Sequence, residues 1–520
     1  MLFNSLIFIL GFLPVAVGGY YALAALRLEM LRLPFIILIS LFFYGYWTPQ
    51  YTILLTISTV LNYAFGRWIG DAAAKGQYRI RSLLVTSGVV LNLLALGYYK
   101  YANFFLNNLN SLVDTGLTLD RIILPLAISF YTFQQIAYLV DVGRGTVKSG
   151  GFLSYVAFVI FFPQLIAGPI VHFQELVPQL IKKPRLDRAL QNILIGLIIF
   201  AIGLTKKTVF ADTAALFASP VFDMARDGTT PGLAAAWGAA FAYTLQVYFD
   251  FSGYSDMAIG LARMFGMKLP LNFHSPLRAG SISGLWQQWH MTLGRFVRSY
   301  VLQPLAAPLA RWSANKGHDR KTGHRYSVML PMFISMVVIG VWHGAGWNFV
   351  LFGALHGLYM VINEAWNFRK RQRKAKPLPA WMTTLMDRGG GHALTVLAFV
   401  VAAIPFRAAT EAATARMYGG MIGVGGDTSS LGDLWPMGLA GLGATVFIGY
   451  LIVFLMPNTQ QIMKVVDPAL DWARWSEITP PVVKICWRPT VFWTIIGGAI
   501  LCLGIAFILR GSTEFIYFNF

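Results

Sequence analysis

Apolar runs about as long as a bilayer is thick follow one another from end to end of this chain, separated by short polar gaps. A helix needs about 20 apolar residues to cross a bilayer. Candidate spans lie near 3–26, 34–48, 51–66, 83–99, 122–140, 152–171, 190–210, 233–262, 328–343, 347–363, 392–406, 436–456 and 490–509. Only 12% of the 520 residues are charged and 56% are hydrophobic, whereas a soluble domain carries roughly 25% charged residues. Soluble cores also stop growing at about 250–300 residues, and no long polar interval divides this chain. Backbone groups in lipid must be satisfied inside their own segment. The expectation is an all-α polytopic integral membrane protein of roughly 11–13 transmembrane or re-entrant helices, forming a single membrane domain over 1–520.

The net charge of +19 invites a nucleic-acid reading, but no soluble basic domain is there to carry one. The cations gather instead in the gaps: Arg67 to Arg81, Lys182 to Arg188, Arg311 to Arg325, and Arg369 to Lys376. That is the positive-inside pattern of cytoplasmic loops facing anionic membrane lipids. The run from Leu2 to Leu26 is too long for the apolar core of a cleavable signal. With Arg27 and Arg32 after it, it reads as a retained first span with its amino end outside. Two cysteines, Cys486 and Cys502, supply neither a disulfide framework nor a multi-cysteine metal site.

The stretch 270–306 is irregular. Pro270 to Pro276 is a polar turn. The run from Ile282 to Leu305 then mixes Trp286, Trp289, Phe296 and Tyr300 with Gln287, Gln288, Arg295 and Arg298. Too polar to face lipid on all sides, it suits a re-entrant or interfacial helix walling a cavity. Segments such as Phe133-Gln-Gln135 and Phe162-Pro-Gln164 can likewise dip into the membrane or line a wet cavity. No internal repeat stands out.

Titratable groups at membrane depth are costly unless partnered, so they are where function is sought first. Asp250 and Asp256 lie six residues apart, roughly 240° around a helix, and so do not share a face. Ser252 and Gly253 between them allow either a helix break or the close approach of another backbone. The plain reading is that each carboxylate bonds Ser, Tyr or backbone and holds a helix break together. The alternatives are contact with substrate and a proton relay. Among the histidines, His318 and His324 fall in the basic loop 311–325 and read as solvated. His392 reads as interfacial, and His172 and His274 as bonded to loop carbonyls. His290, His343 and His356 remain, each inside an apolar run beside Trp or Gly.

Their spacings of 53 and 13 residues, with no His-x-x-x-His pair and no ligand cysteine, fit no zinc pattern. No Gly-x-Ser-x-Gly elbow suggests a hydrolase triad either. What fits is general-base chemistry. A buried, uncharged imidazole takes the proton of an attacking hydroxyl, while a second polar group orients it or stabilises an acyl carbonyl.

Several motifs carry a family resemblance. They include the opening Met1-Leu-Phe-Asn-Ser5, Phe130-Tyr-Thr-Phe-Gln-Gln135, Phe162-Pro-Gln-Leu-Ile-Ala-Gly-Pro169, Tyr248 to Gly260, and the closing Phe515 to Phe520. Two are more specific: Trp286-Gln-Gln-Trp-His-Met-Thr-Leu293, and Val341-Trp-His-Gly-Ala-Gly-Trp-Asn348 leading to Leu355-His-Gly357. With these the chain resembles the membrane-bound O-acyltransferase family, in its bacterial branch that includes alginate O-acetyltransferase. The signature region is about 246–363.

The resemblance implies a tunnel through the helices with His343, on the family's essential histidine, deep inside it as base. His290 falls on the second signature position and assists. His356 matches a third recurrent histidine. Gln134, Asp250, Asp256, Trp289, Trp342 and Asn348 would then line the substrate tunnel. It further implies transfer of an acyl group, an acetyl in the first instance, from a cytoplasmic thioester such as acetyl-CoA. The recipient would be a hydroxyl of an exported polysaccharide or a periplasmic acyltransferase partner. The location would be a bacterial inner membrane, with no bound cofactor, metal or nucleic acid. Two departures from the alginate enzymes, Gln287-Gln288 in place of a basic pair and Arg298-Ser-Tyr300 in place of Arg-Asp-Tyr, bear on the acceptor. The rival reading is a transporter or flippase using buried Asp and His for proton coupling.

Overall fold

The structure is a computed structural model that describes residues 1–46, 49–113, 116–117, 119–120, 122–372, 389–424, 435, 437–511 and 515–516. Helices account for nearly all of its regular elements. Among the described residues the one strand-like pairing is a bridge between Pro270 and Leu470. Among the described residues seven helices are long and apolar enough to cross a membrane: Ile7–Ala25, Tyr78–Val113, Leu186–Arg226, Arg320–His343, Trp347–Arg371, Gly438–Leu455 and Val491–Ile508. The chain is an all-α, multi-pass membrane protein.

The helices that build the candidate site are α1 (Tyr78–Leu96), α2 (Ile128–Arg144), α3 (Ala189–Thr205), α4 (Leu233–Met264), α5 (Ile282–Gln288), α6 (Met291–Val297), α7 (Leu330–His343), α8 (Trp347–Gln372) and α9 (Gly391–Arg407). Helix α4 is the spine of the core. It stays helical and almost wholly buried for 32 residues, and α3 lies against it backbone to backbone. A Cβ on Gly203 would sit 2.6 Å from the carbonyl oxygen of Gly253, and one on Gly196 would sit 2.4 Å from that of Gly260. In lipid, where apolar side chains gain little by meeting one another, such small-residue contacts let dispersion hold helices together. Of the two readings of Ser252 and Gly253, close approach holds, and α4 runs unbroken past them.

The carboxylates of α4 are not held as expected, by Ser, Tyr or backbone alone. Asp256 lies 2.8 Å from Lys206 Nζ and accepts from Thr459 and Gln460. Asp250 lies 2.9 Å from Lys207 Nζ and accepts from the backbone N–H of Ile516. Both lysines stand in a π-helical turn, Lys206–Ala211, that continues α3.

Three other expectations are corrected. The 190–210 span is part of a 41-residue helix, Leu186–Arg226, because the lysines that ought to end it are neutralised inside the protein. The 152–171 run does not cross as one helix: Phe152–Ile160 is followed by Phe162–Leu165 and then by non-helical chain, where Pro163 and Pro169 withhold backbone donors. The 311–325 segment is mostly helical, within Gln303–Asn315 and Arg320–His324. Its His324 is not solvated; it meets Glu364 at 3.0 Å and stacks on Phe368 at 4.2 Å. His318 is half-buried and stacks on Tyr326. Of the basic run from Arg369, Arg369 to Arg371 end α8, and 373–376 lie outside the described residues.

Candidate active site

Helices α7 and α8 form a hairpin whose turn, Gly344 to Gly346, follows His343 directly. Gly344 is extended (φ −163°, ψ 158°), which ends α7 at the histidine. The two helices touch at their glycines: a Cβ on Gly340 would lie 2.8 Å from Gly353 Cα. This brings His343, at the turn, and His356, farther along α8, against a shared neighbour, Phe352.

The last carbonyls of a helix lack intrahelical donors, and here side chains from a distant segment supply them. Tyr101 Oη donates to the carbonyl of Val341 at 2.7 Å. Lys100 Nζ donates to the carbonyl of Trp342 and, at 3.1 Å, to that of His343. A cation at a helix C-terminus also meets the negative end of the helix dipole. Both residues belong to a π-helical turn, Gly97–Tyr101, that extends α1.

His290 is held differently. The single helix expected over 282–305 is broken at this residue, which separates α5 from α6 with a left-handed backbone (φ 43°, ψ 52°). A residue with a Cβ rarely adopts that conformation, and such strain persists only where surroundings enforce it. Here they do: Met291 N–H donates to the Asn272 carbonyl at 2.9 Å. The Asn272 side-chain oxygen meets His290 Nδ1 at 3.0 Å and accepts from the Thr292 hydroxyl at 2.8 Å. Beyond it, Arg295 pairs with Glu175 through two nitrogens, and Tyr300 Oη donates to Asp141 at 2.9 Å. The helix after the break is thus tied to the N-terminus of helix Phe173–Ile181 and to α2.

These two arms meet in a cluster of rings. His290 is 6.2 Å from Trp342 between centroids, and Trp342 is 4.9 Å from His343. His343 is 5.8 Å from Phe352, and Phe352 is 4.7 Å from His356. Phe406 of α9 touches both His343 and Phe352 at 4.9 Å, and Phe133 of α2 stacks on Trp342 at 5.1 Å. The three histidines are 1%, 4% and 0% exposed in chain order. Residues 53 and 13 positions apart are therefore joined through Trp342 and Phe352 in one buried cluster of rings.

Trp289 joins this cluster through Phe399, at 4.9 Å, and Phe399 in turn meets His356 at 5.8 Å. Gln134 is buried on α2 next to Phe133. Asn348 caps a helix end: its amide donates to the carbonyls of Pro405 and Ala408, at 3.1 and 2.8 Å, and so fixes α9 to the start of α8. Asp250 adjoins Phe251, whose ring meets His290 edge-on at 4.7 Å, but its own bonds are to Lys207 and Ile516; those of Asp256 lead to Lys206, Thr459 and Gln460. The two carboxylates are anchors of the helix bundle. His274 bonds a loop carbonyl, that of Ile478, at 2.7 Å, and His392 that of Leu277. His172 instead caps helix Phe173–Ile181 and lies 3.3 Å from Tyr300 Oη. Among the described residues no group of three or more His, Cys, Asp or Glu side chains could hold a metal ion.

Sequence reasoning passed over Lys100, Tyr101 and the side chain of Asn272, and it took Trp286 only as the first residue of a signature motif. Of the three passed over, Lys100 alone carried a signal, a charge beside an apolar run.

A family model for the membrane-bound O-acyltransferase family matches residues 143–377, which takes in both signature histidine segments. A peptidoglycan O-acetyltransferase of Helicobacter pylori is 38% identical, covering 82% of this chain and 80% of that protein. The chain belongs to the membrane-bound O-acyltransferase family. A probable alginate O-acetylase of Pseudomonas aeruginosa is 35% identical over 87% of this chain and 81% of its own length. A teichoic acid D-alanyltransferase of Streptococcus thermophilus is 28% identical over 49% of this chain and 62% of its own. The protein is an O-acyltransferase, and its ring-walled cluster of histidines is the candidate centre of that activity.

Proposed function

We propose that this O-acyltransferase moves an acetyl group from a thioester, acetyl-CoA, to a hydroxyl of an exported cell-envelope polysaccharide, directly or through a periplasmic acyltransferase partner. The reading places it in a bacterial inner membrane with its basic gaps on the cytoplasmic side. The donor enters a tunnel from that side, drawn by the cations near 311–325 and Arg369 to Arg371, and the acceptor enters from the other. The hydroxyl oxygen bonds to the acyl carbon while its proton passes to the His343 imidazole. The tetrahedral oxyanion then collapses, the carbon–sulfur bond breaks, and the thiolate leaves with that proton. His290 assists.

One observation carries this reading: His290, His343 and His356 come together on Trp342 and Phe352, out of water. Out of water, a base and fixed dipoles act most strongly. The names of the relatives, which concern peptidoglycan, alginate and teichoic acid, support an envelope polymer as acceptor, and Gln287-Gln288 supports one other than alginate. The transporter reading is weakened by Lys206 and Lys207, which already pair the carboxylates it would use.

The test is purified protein in liposomes given radiolabelled acetyl-CoA and candidate acceptors: peptidoglycan fragments, alginate and cellulose oligomers. Label appearing in an acceptor as free coenzyme A is released is the expected result. Proton-driven flux of an oligomer with no thioester consumed would point to the transporter.

A further inference from the structure

A neutral imidazole has one nitrogen that donates and one that accepts, and the partner of one decides the role of the other. For His290 the partner is the Asn272 side-chain oxygen. That the oxygen, not the amide nitrogen, faces His290 follows from Thr292. Its backbone N–H, 3.4 Å away, can only donate. Its hydroxyl accepts from the Ile170 N–H at 3.0 Å, so it turns its own hydrogen to Asn272. His290 Nδ1 therefore carries the ring hydrogen and Nε2 is bare.

His356 is the reverse. An indole N–H can only donate, and Trp286 Nε1 lies 3.3 Å from His356 Nδ1 with the rings at 88°. Nδ1 is the acceptor, and the hydrogen is on Nε2. Neither Nε2 has a hydrogen-bond partner among the described residues, although both are sealed from water. An isolated charge there would be costly, so both rings are neutral. The ring cluster around His343 thus holds one unpaired acceptor, on His290, and one unpaired donor, on His356.

We infer that His356 Nε2–H is the hydrogen-bond donor to the acyl carbonyl oxygen as it becomes an oxyanion, and that Trp286 is the positioning residue that fixes its tautomer. His290 has no hydrogen left to offer and serves the acceptor alcohol, by accepting from its hydroxyl groups; Asn272 positions it. The inference rests on the acyl-transfer reading for its substrate, but not for its tautomers. An unsatisfied buried donor is costly in the resting protein, and it is satisfied once a carbonyl oxygen arrives.

The experiment uses the full-length protein in lipid. Solid-state NMR of ¹⁵N-histidine, assigned through His290→Gln and His356→Gln, is expected to show His290 protonated at Nδ1 and His356 at Nε2. In acetyl-transfer kinetics, His356→Ala should lose about 10²–10³-fold in kcat, the usual cost of removing one oxyanion donor, with a far smaller change in donor KM. His356→Gln, which keeps an N–H, should recover part of that loss. Trp286→Phe keeps the ring and drops the donor; it should lower kcat and leave His356 a mixture of tautomers. Hydrogen found on His356 Nδ1, or His356→Ala within about twofold of the parent in kcat, overturns the proposal. If the parent itself transfers no acyl group, the reading beneath fails and the donor role falls with it. Transfer that is indifferent to His356 fails the donor role alone.

Discussion

Lys100 shows how far the chemistry at one residue depends on another remote in sequence. Its ammonium satisfies the carbonyls of Trp342 and His343, more than 240 positions along, and so fixes the turn from which the His343 ring projects. Replacing it by Met keeps most of the bulk and strands two buried carbonyls, at about 1–3 kcal/mol for each unsatisfied group. Lys100→Met is expected to lower the unfolding temperature in detergent and acetyl transfer together, whereas Tyr101→Phe, freeing one carbonyl, should do less of both. None of this was legible in the sequence. The expected span ended at 99, and a lysine just past a span end reads as reaching for the interface. The three histidines were legible because a titratable ring stands out in an apolar run. Their tautomers were not, since Asn272 and Trp286 acquire their meaning only from the fold.

The helices were legible where period and hydropathy agree, and less so where packing overrides them. The α7–α8 hairpin and the spine α4 fall where the sequence places spans. The break at His290 does not, because it depends on Asn272 and Thr292 holding a left-handed residue. Glycine roles were half visible: close approach at Gly253 was one of two readings, and only the neighbouring helix α3 decides between them. The same logic applies at Gly340, where an added methyl would meet the Phe349 carbonyl oxygen at 2.3 Å. Gly340→Ala should push α8 away from α7 and separate His343 from His356. Overpacking of this kind costs typically about 1–3 kcal/mol. The expected outcome is a protein that still inserts and purifies but has lost most of its kcat and has a lower unfolding temperature. An unchanged kcat would mean that the register of the hairpin does not set the histidine cluster.

At the scale of the whole molecule, the two carboxylates of the spine α4 are each paired with a lysine. Lys206 and Lys207, from the turn that prolongs α3, meet Asp256 and Asp250 of α4, and Asp212 also lies 2.7 Å from Lys207. Removing one member of a buried pair strands its partner and costs about 3–5 kcal/mol, whereas replacing both by apolar residues is often neutral. Asp256→Leu alone should therefore destabilise strongly in thermal unfolding, and Lys206→Met with Asp256→Leu should restore much of the loss. The double variant should also keep acetyl transfer, as a structural pair allows and a proton relay does not. Sequence composition settled the membrane class and the helical architecture. It did not settle these pairs, because Lys206 and Asp256 lie 50 residues apart and meet only when α3 and α4 align at their glycines. The most direct test of the whole account lies at His343. With His343→Ala folded, as judged by an unchanged elution profile and unfolding temperature, acetyl transfer from labelled acetyl-CoA should fall by about 10²–10⁴-fold, the contribution of a positioned general base. Full transfer by that variant would contradict the account at its centre.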